Sequence, residues 1–546
     1  MKKYRLLRLA MSVLVAAQPL VSCNDLLDID PQDKYSETEA WKNESTVDMY
    51  VTGLYTSIKS MSNFASLSLT DGYTDLLKYQ NGVEQTWSNH NRILLRQNYI
   101  TADSNPLSSW GLYGDIFKEN VFLRDAGTYG SKFGPDFLEA RVGEVRFIRA
   151  INYFRLIRVF GGVVIRDESE GVDSEAQKDK ARASEEESWN FVLADLEYAT
   201  QKLPETWPAE WNGRLTKGAA YAYLCRAALF AKRWDVAIQA AENLKALRKY
   251  GLMDNYADVF KVPDNKEIIF AISYKIPEMP HYLDRYFAPD GIQGIRRAVP
   301  TSELADAYDM ADGTPFAWSG AMAADPYTGR EPRFYNNIIY NGCTWRGNTI
   351  YTYVDAENGF VPFKENQDPG TKNTVTGYFI RKFLQEDHAD FDDKGSDQFW
   401  IEMRYAELLL NEAEALAESN YGANRTQALA NLNEVRVRVN LPERTEAEAP
   451  DKEAFMALLR KERVCELAFE GFRFWDLRRW HLASEVIEGK QAHGVQITKQ
   501  PDDSFVYQQV SCDGEQTRVF PERYYLLPIP RDEMEKNSLI VNNPSW

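Results

Sequence analysis

The 546 residues are 44% hydrophobic and 13% aromatic, ample for a large core, which excludes an intrinsically disordered chain. Lys and Arg total 63 against 81 Asp and Glu, and the formal net charge of -18 repels a phosphate backbone, so no nucleic acid partner is expected.

Lys2, Lys3, Arg5 and Arg8 precede an apolar run from Leu9 to Val21, patterned as an export signal. The run is shorter than the roughly 20 residues of a spanning helix. Leu20, Val21, Ser22 and Cys23 look like the lipobox of a bacterial lipoprotein, so residues 1–22 are expected to be a cleaved signal peptide and Cys23 the lipidated residue. Acyl chains alone would then hold the protein to a membrane, since no later stretch reaches 18 consecutive apolar residues. Residues 23–40, rich in Asp, Ser, Thr and Pro, read as a flexible tether, and Trp41 opens a single body over 41–546.

Apolar residues at helical spacing predict helices over 46–61, 109–127, 137–160, 185–203, 215–249, 400–419, 426–439 and 452–480. Strand-like runs are few and short, at 162–165 and 267–274. Residues 218–244 fit a tetratricopeptide unit, with Leu224, Cys225 and Ala228 on the first helix, Trp234 at the turn, and Ala237, Ile238 and Ala241 on the second. Small residues belong there because two antiparallel helices cannot approach closely if both present bulk. The pair 405–419 and 426–437 has the same character in Ala413, Ala415, Ala417, Ala428 and Ala430. The expected fold is therefore mostly α, with tetratricopeptide-like helical hairpins framing a loop-rich variable region at about 311–399.

Catalytic templates fail: there is no His-Glu-x-x-His, Gly-x-Ser-x-Gly or phosphate-loop motif, so the protein is not expected to be an enzyme. Glu466 and Glu470, four residues apart, could mimic an acid/base pair, but Arg463 and Arg473 stand three residues from them and favour ion pairing within a frame. Asp476 with Arg479 reads the same way. Asp390, Asp392, Asp393 and Asp397 approach a calcium loop in ligand density, although Lys394 takes a ligand place; a structural Ca2+ is the only cofactor considered. Cys225 and Cys465 fall in apolar helical patterns, whereas Cys343 and Cys512 fall in loop-like sequence and could pair. No Cys-x-x-Cys occurs, which argues against a zinc framework.

The stronger functional signal is aromatic residues in polar, loop-like sequence: Tyr73, Trp87, Trp110, Trp207, Trp211, Tyr282, Tyr286, Trp318, Tyr327, Trp345, Tyr351 and Tyr353. A sugar stacks its C–H patch on such a ring while its hydroxyls bond to amides, carboxylates and guanidinium groups. Trp87 and Trp345 lead as ligand-binding candidates, followed by Tyr282, Tyr286, Trp318 and Tyr73.

Several segments are similar to the SusD family, also called RagB/SusD, of cell-surface nutrient-binding lipoproteins. They are the lipobox region, GEVRFIRAINYFRLIRVFGG at 143–162, KEIIFAISY at 266–274, MRYAELLLNEAEAL at 403–416, LNEVRVRVNLP at 432–442, RKERVCELAFEGFRFWDLRRW at 460–480 and YYLLPIP at 524–530. The chain ends in Asn-Pro-Ser-Trp where the family usually has Asn-Pro-Gly-Tyr. The resemblance implies tetratricopeptide-like units around a variable region and a place on the outer membrane facing the exterior. It also implies a partnership with a SusC-like TonB-dependent transporter, over which the lipoprotein acts as a ligand-capturing lid. Capture of an oligosaccharide for import is the leading expectation. The alternatives are a peptide-binding import lipoprotein of the same family and, behind it, a glycoside hydrolase using two carboxylates.

Overall fold

The computed structural model describes residues 37–67, 69–80, 89–170, 179–290, 298–363, 372–388 and 390–546. The expected signal peptide, Cys23 and Trp87 lie outside them. The chain forms two units, Met1–Tyr50 and Val51–Trp546. The described part of the first holds a single helical turn, Glu37–Ala40, where tether was expected, and most of the helix Glu44–Leu54.

The second unit is built on a row of helices, each packed on the next: α1 (Tyr113–Tyr129), α2 (Pro135–Phe160), α3 (Glu185–Lys202), α4 (Lys217–Phe230) and α5 (Trp234–Ala246). Helical backbone next runs from Tyr405 to Arg438, broken at Asn420 (φ -164, ψ 88) into α6 and α7, and α5 packs against this pair. The same pair packs against α8 (Lys452–Glu466), which is followed by α9 (Arg473–Arg479). Local chemistry sets the boundaries. Pro135 opens α2, Ser184 and Glu187 form a capping box on α3, and Thr216 and Asp451 cap α4 and α8. The hairpin α4–α5 closes tightly because Ala219, Ala220, Cys225, Ala228, Ala237 and Ala241 are all buried small residues. After α2, Gly161 takes φ +71, and a Cβ on Gly162 would sit 2.1 Å from the carbonyl oxygen of Ala183.

Strands among the described residues make five two-stranded sheets. Those used below are β1 (Ile268–Ile272), β2 (Thr344–Trp345), β3 (Asn348–Thr349), β4 (Trp400–Arg404), β5 (His493–Lys499) and β6 (Phe505–Ser511). Residues 162–165 form no strand. The helix expected from Trp400 begins only at Tyr405, because Trp400–Arg404 pairs antiparallel with β1. The helix expected over 452–480 is interrupted where Phe469 (φ 67) and Gly471 (φ 81) enter the left-handed region. Cys343 and Cys512 are each buried and free, so the disulfide considered from sequence does not form. Among the described residues no helix is long and apolar enough to cross a membrane.

A buried ion network fastens the frame. Arg404 donates to Glu267 at 2.8 Å, to Glu466 at 2.7 Å and to Glu470 at 2.7 Å. Arg438 bonds Glu267 and Glu466, Arg333 bonds Glu462 and Glu466, and Lys382 bonds Glu470. Burial alone would raise the Glu466 carboxyl, but Arg438, Arg404 and Arg333 hold it far below the usual range. The partners differ from those read from helical spacing: Arg463 pairs with Asp476 at 2.8 Å, and Arg473 with Asp75 at 2.9 Å. Asp476 also bonds Arg479, as expected. With every carboxylate committed to a cation, Glu466 and Glu470 are structural, not an acid/base pair.

Candidate functional site

Among the described residues β6 is an edge strand, paired only with β5. Its register sets Tyr507 opposite Ile497 and Gln509 opposite Val495. Ile497 and Val495 are fully buried, so this face of the hairpin turns inward. On the outer strand the same face is incompletely covered, and side chains two residues apart emerge in a row: Phe505 and Tyr507 half-buried, Gln509 exposed.

The loop after β3 extends this row. The Val354 amide donates to the Ile497 carbonyl at 2.9 Å, which brings Tyr351 and Tyr353 beside Phe505. Their ring centroids lie 6.3 and 5.7 Å from that of Phe505, at interplanar angles of 36° and 30°, and Tyr507 follows at 6.4 Å. The four rings are tilted against one another, and Tyr351 is 44% exposed. At the other end, Gln509 Nε2 and Trp318 Nε1 donate to Asp306 Oδ2 at 3.2 and 2.8 Å. Asp306 stands on the short helix Ser302–Ala307, and its Oδ1 is buried without a hydrogen-bond partner among the described residues. Burial pushes its carboxyl up to about 6 against the opposing bond from Trp318. From Phe505 to Gln509, four steps of about 3.4 Å give a ribbon about 14 Å long. It is aromatic at one end and amide, carboxylate and indole at the other.

The ribbon brings together Trp318, Tyr351 and Tyr353 from the sequence candidates, and the buried Tyr327 meets Tyr507 edge to face at 5.3 Å. Others fall elsewhere. Trp345 is 1% exposed, with its Nε1 on Asp290 at 3.2 Å and the Arg346 guanidinium 5.0 Å from its ring; a sugar has no access to its face. Tyr73 is also core: it stacks on His90 at 4.0 Å, whose other face meets Tyr79 at 3.9 Å. Burial in that sandwich pushes His90 down to about 3. Tyr282, 38% exposed, immediately precedes the short helix Leu283–Phe287, and Tyr286 lies on it. Asp284 on that helix holds Arg346 at 2.8 Å, and neither tyrosine touches the ribbon rings among the described contacts.

The calcium reading is not supported. Asp390, Asp392 and Asp393 fan out around the single turn Phe391–Lys394, Asp390 pairs with Lys394 at 2.7 Å, and Asp397 accepts from Gln385 at 3.0 Å. Among the described residues no group of three or more His, Cys, Asp or Glu side chains could hold a metal.

The fold defines a helical-repeat protein whose non-helical segments carry an open aromatic face. The chain belongs to the SusD family: that family's model matches residues 253–546, and a second model, described as starch-binding associating with outer membrane, matches 25–229. A SusD-like protein of Formosa agariphila is 25% identical, with 100% of each chain covered. Among solved structures, a SusD-like protein of Bacteroides fragilis superposes with TM-score 0.77 at 29% identity, over 94% of this chain and 99% of that one. A laminarin-binding SusD-like protein shares the fold at TM-score 0.65 and 21% identity, over 91% of this chain and 99% of that one.

Proposed function

We propose that this protein is a cell-surface lipoprotein, anchored to the outer membrane through Cys23, that captures an oligosaccharide on the β6 ribbon and delivers it to a SusC-like TonB-dependent transporter. The observation that carries this reading is the ribbon itself. Tilted, half-open rings offer stacking faces, and Gln509, Asp306 and the tyrosine hydroxyls offer directional partners to sugar hydroxyls. The Asp306 carboxylate is engaged by Gln509 and Trp318, an arrangement suited to orienting a hydroxyl-rich ligand. The laminarin-binding neighbour and the starch-binding family description lend support from outside the chain.

The experiment is a glycan array run beside a peptide library, with wild type and a Tyr351→Ala/Phe505→Ala double variant. Glycan binding that the double variant loses by tenfold or more, at unchanged melting temperature, is expected. Peptide binding without glycan binding would overturn the reading.

A further inference from the structure

A cavity of about 860 Å3 opens in the loop-rich region, sharing no lining residue with the ribbon and within the roughly 300–1,000 Å3 range of small-ligand sites. Its wall includes Phe383, Arg346, Gln385, Asp397, Ser273 and Phe399. Two of these hold strained backbone. Phe383 has φ 70 although it carries a bulky side chain, and Arg346 has φ 47 in the tight turn between β2 and β3. Phe383 is locked there by rings at 5.2 Å on two sides, Phe64 and Phe260. Non-glycine residues forced into the left-handed region gather where a wall must keep a set shape.

The charges in that wall cancel. Arg346 donates to Asp284 at 2.8 Å, to Asp290 at 3.1 Å and to the Gln385 carbonyl at 2.7 Å. Arg381 forms a two-pronged pair with Glu386 at 2.9 and 3.0 Å. Lys382 spends its three protons on Glu470, Tyr256 Oη and the Ala468 carbonyl, at 2.7, 2.8 and 2.9 Å. That leaves exposed Lys261, Asp387 and Asp397 without an ion-pair partner among the described residues, one cation against two anions. An anionic ligand entering this space would lose its hydration and find no uncommitted cation in the deep wall. A neutral, hydroxyl-rich ligand would instead find carboxylate acceptors in Asp387 and Asp397, the Ser273 hydroxyl, and the apolar faces of Phe399 and Tyr274.

We propose that this cavity is a second ligand site, separate from the ribbon, that takes an uncharged saccharide of one or two residues and rejects uronic or sulfated sugars. The chemistry that selects is the internal pairing of every deep-wall cation, which gives neutral hydroxyls an advantage over carboxylate or sulfate groups.

The test is calorimetric titration of the full mature chain with maltose, cellobiose and laminaribiose, and with digalacturonate as the anionic probe. The proteins are wild type, Ser273→Trp, Asp397→Ala and the ribbon double variant Tyr351→Ala/Phe505→Ala. Ser273 is exposed at the cavity, so a tryptophan there obstructs entry without burdening the core. At least one neutral disaccharide is expected to bind, with a Kd raised about tenfold or more by Ser273→Trp and by Asp397→Ala but unchanged in the ribbon variant, and digalacturonate is expected not to bind. The inference is overturned if no neutral disaccharide binds. Digalacturonate binding as tightly as the neutral sugars, or loss of binding in the ribbon variant in place of the cavity variants, overturns it equally. Failure of the ribbon reading looks different, since long glycans would then bind the ribbon variant as well as wild type.

Discussion

Trp345 and Trp318 show how one residue type takes opposite roles under similar sequence surroundings. Both lie among polar neighbours, yet Trp345 ends a two-residue strand and is enclosed, while Trp318 stays half-exposed and bonds Asp306. Trp345→Ala should therefore destabilise the fold by about 3–5 kcal/mol in denaturant titration and leave glycan affinity near wild type. Trp318→Phe should keep the melting temperature but weaken glycan binding, because Asp306 Oδ2 loses one of its two donors; an unchanged Kd would remove Trp318 from the site. Asp306 also sets a pH dependence. Its carboxyl is raised from 3.8 to about 6, so the folded state holds that proton more tightly than the unfolded chain. Its contribution to stability is greatest in acid and is lost as pH rises from about 4 to about 6. The melting temperature of Asp306→Asn relative to wild type should accordingly be higher at pH 7 than at pH 4, and a difference independent of pH would contradict this environment for the carboxyl.

Among elements, the helix α8 and the strand β4 depend on Arg404, which reaches Glu267, Glu466 and Glu470 together. Arg404→Met should cost about 3–5 kcal/mol, the usual consequence of leaving buried carboxylates without their cation. Glu466 and Glu470 both titrate below their ordinary 4.5 in the folded protein. The stability they contribute is present above that value and is lost progressively as pH falls below it toward their depressed folded values. Urea midpoints measured from pH 6 down to pH 3 should fall in wild type and fall less in the Arg404 variant. These elements also mark how far the sequence is legible. The small-residue faces of α4 and α5 read directly as a hairpin, since their spacing records a close approach between neighbours along the chain. β4 did not, because Met403 and Arg404 continue the helical spacing of α6 and only pairing with residues 268–272, far away in sequence, makes them a strand. The ribbon was half legible for the same reason. Tyr351 and Tyr353 stood out as aromatic residues in polar loops, whereas Phe505, Tyr507 and Gln509 repeat with a period of two, and their exposure depends on β6 lying at an edge.

For the whole molecule, the frame and the two proposed ligand surfaces are separable. The helical row is held by small-residue packing and buried ion pairs, and the ribbon and cavity are made from segments outside it, so substitutions at Tyr351, Phe505 or Ser273 can change what is bound while the frame persists. The proposed anchor predicts that Cys23→Ala releases the protein from the membrane fraction with its glycan affinity intact; a variant that stays membrane-bound in high salt without its transporter would contradict it. Cys225, Cys343, Cys465 and Cys512 are all buried and free, so no covalent crosslink among them restrains the unfolded chain, and the melting temperature should be the same with and without dithiothreitol. Burial raises each of the four thiols, which keeps them unreactive while folded. Labelling by a thiol-directed dye then becomes a clock for structural opening: Cys343, in the loop-rich region, should report the breathing of the ligand-facing segments, and Cys225, inside the α4–α5 hairpin, the slower rupture of the frame.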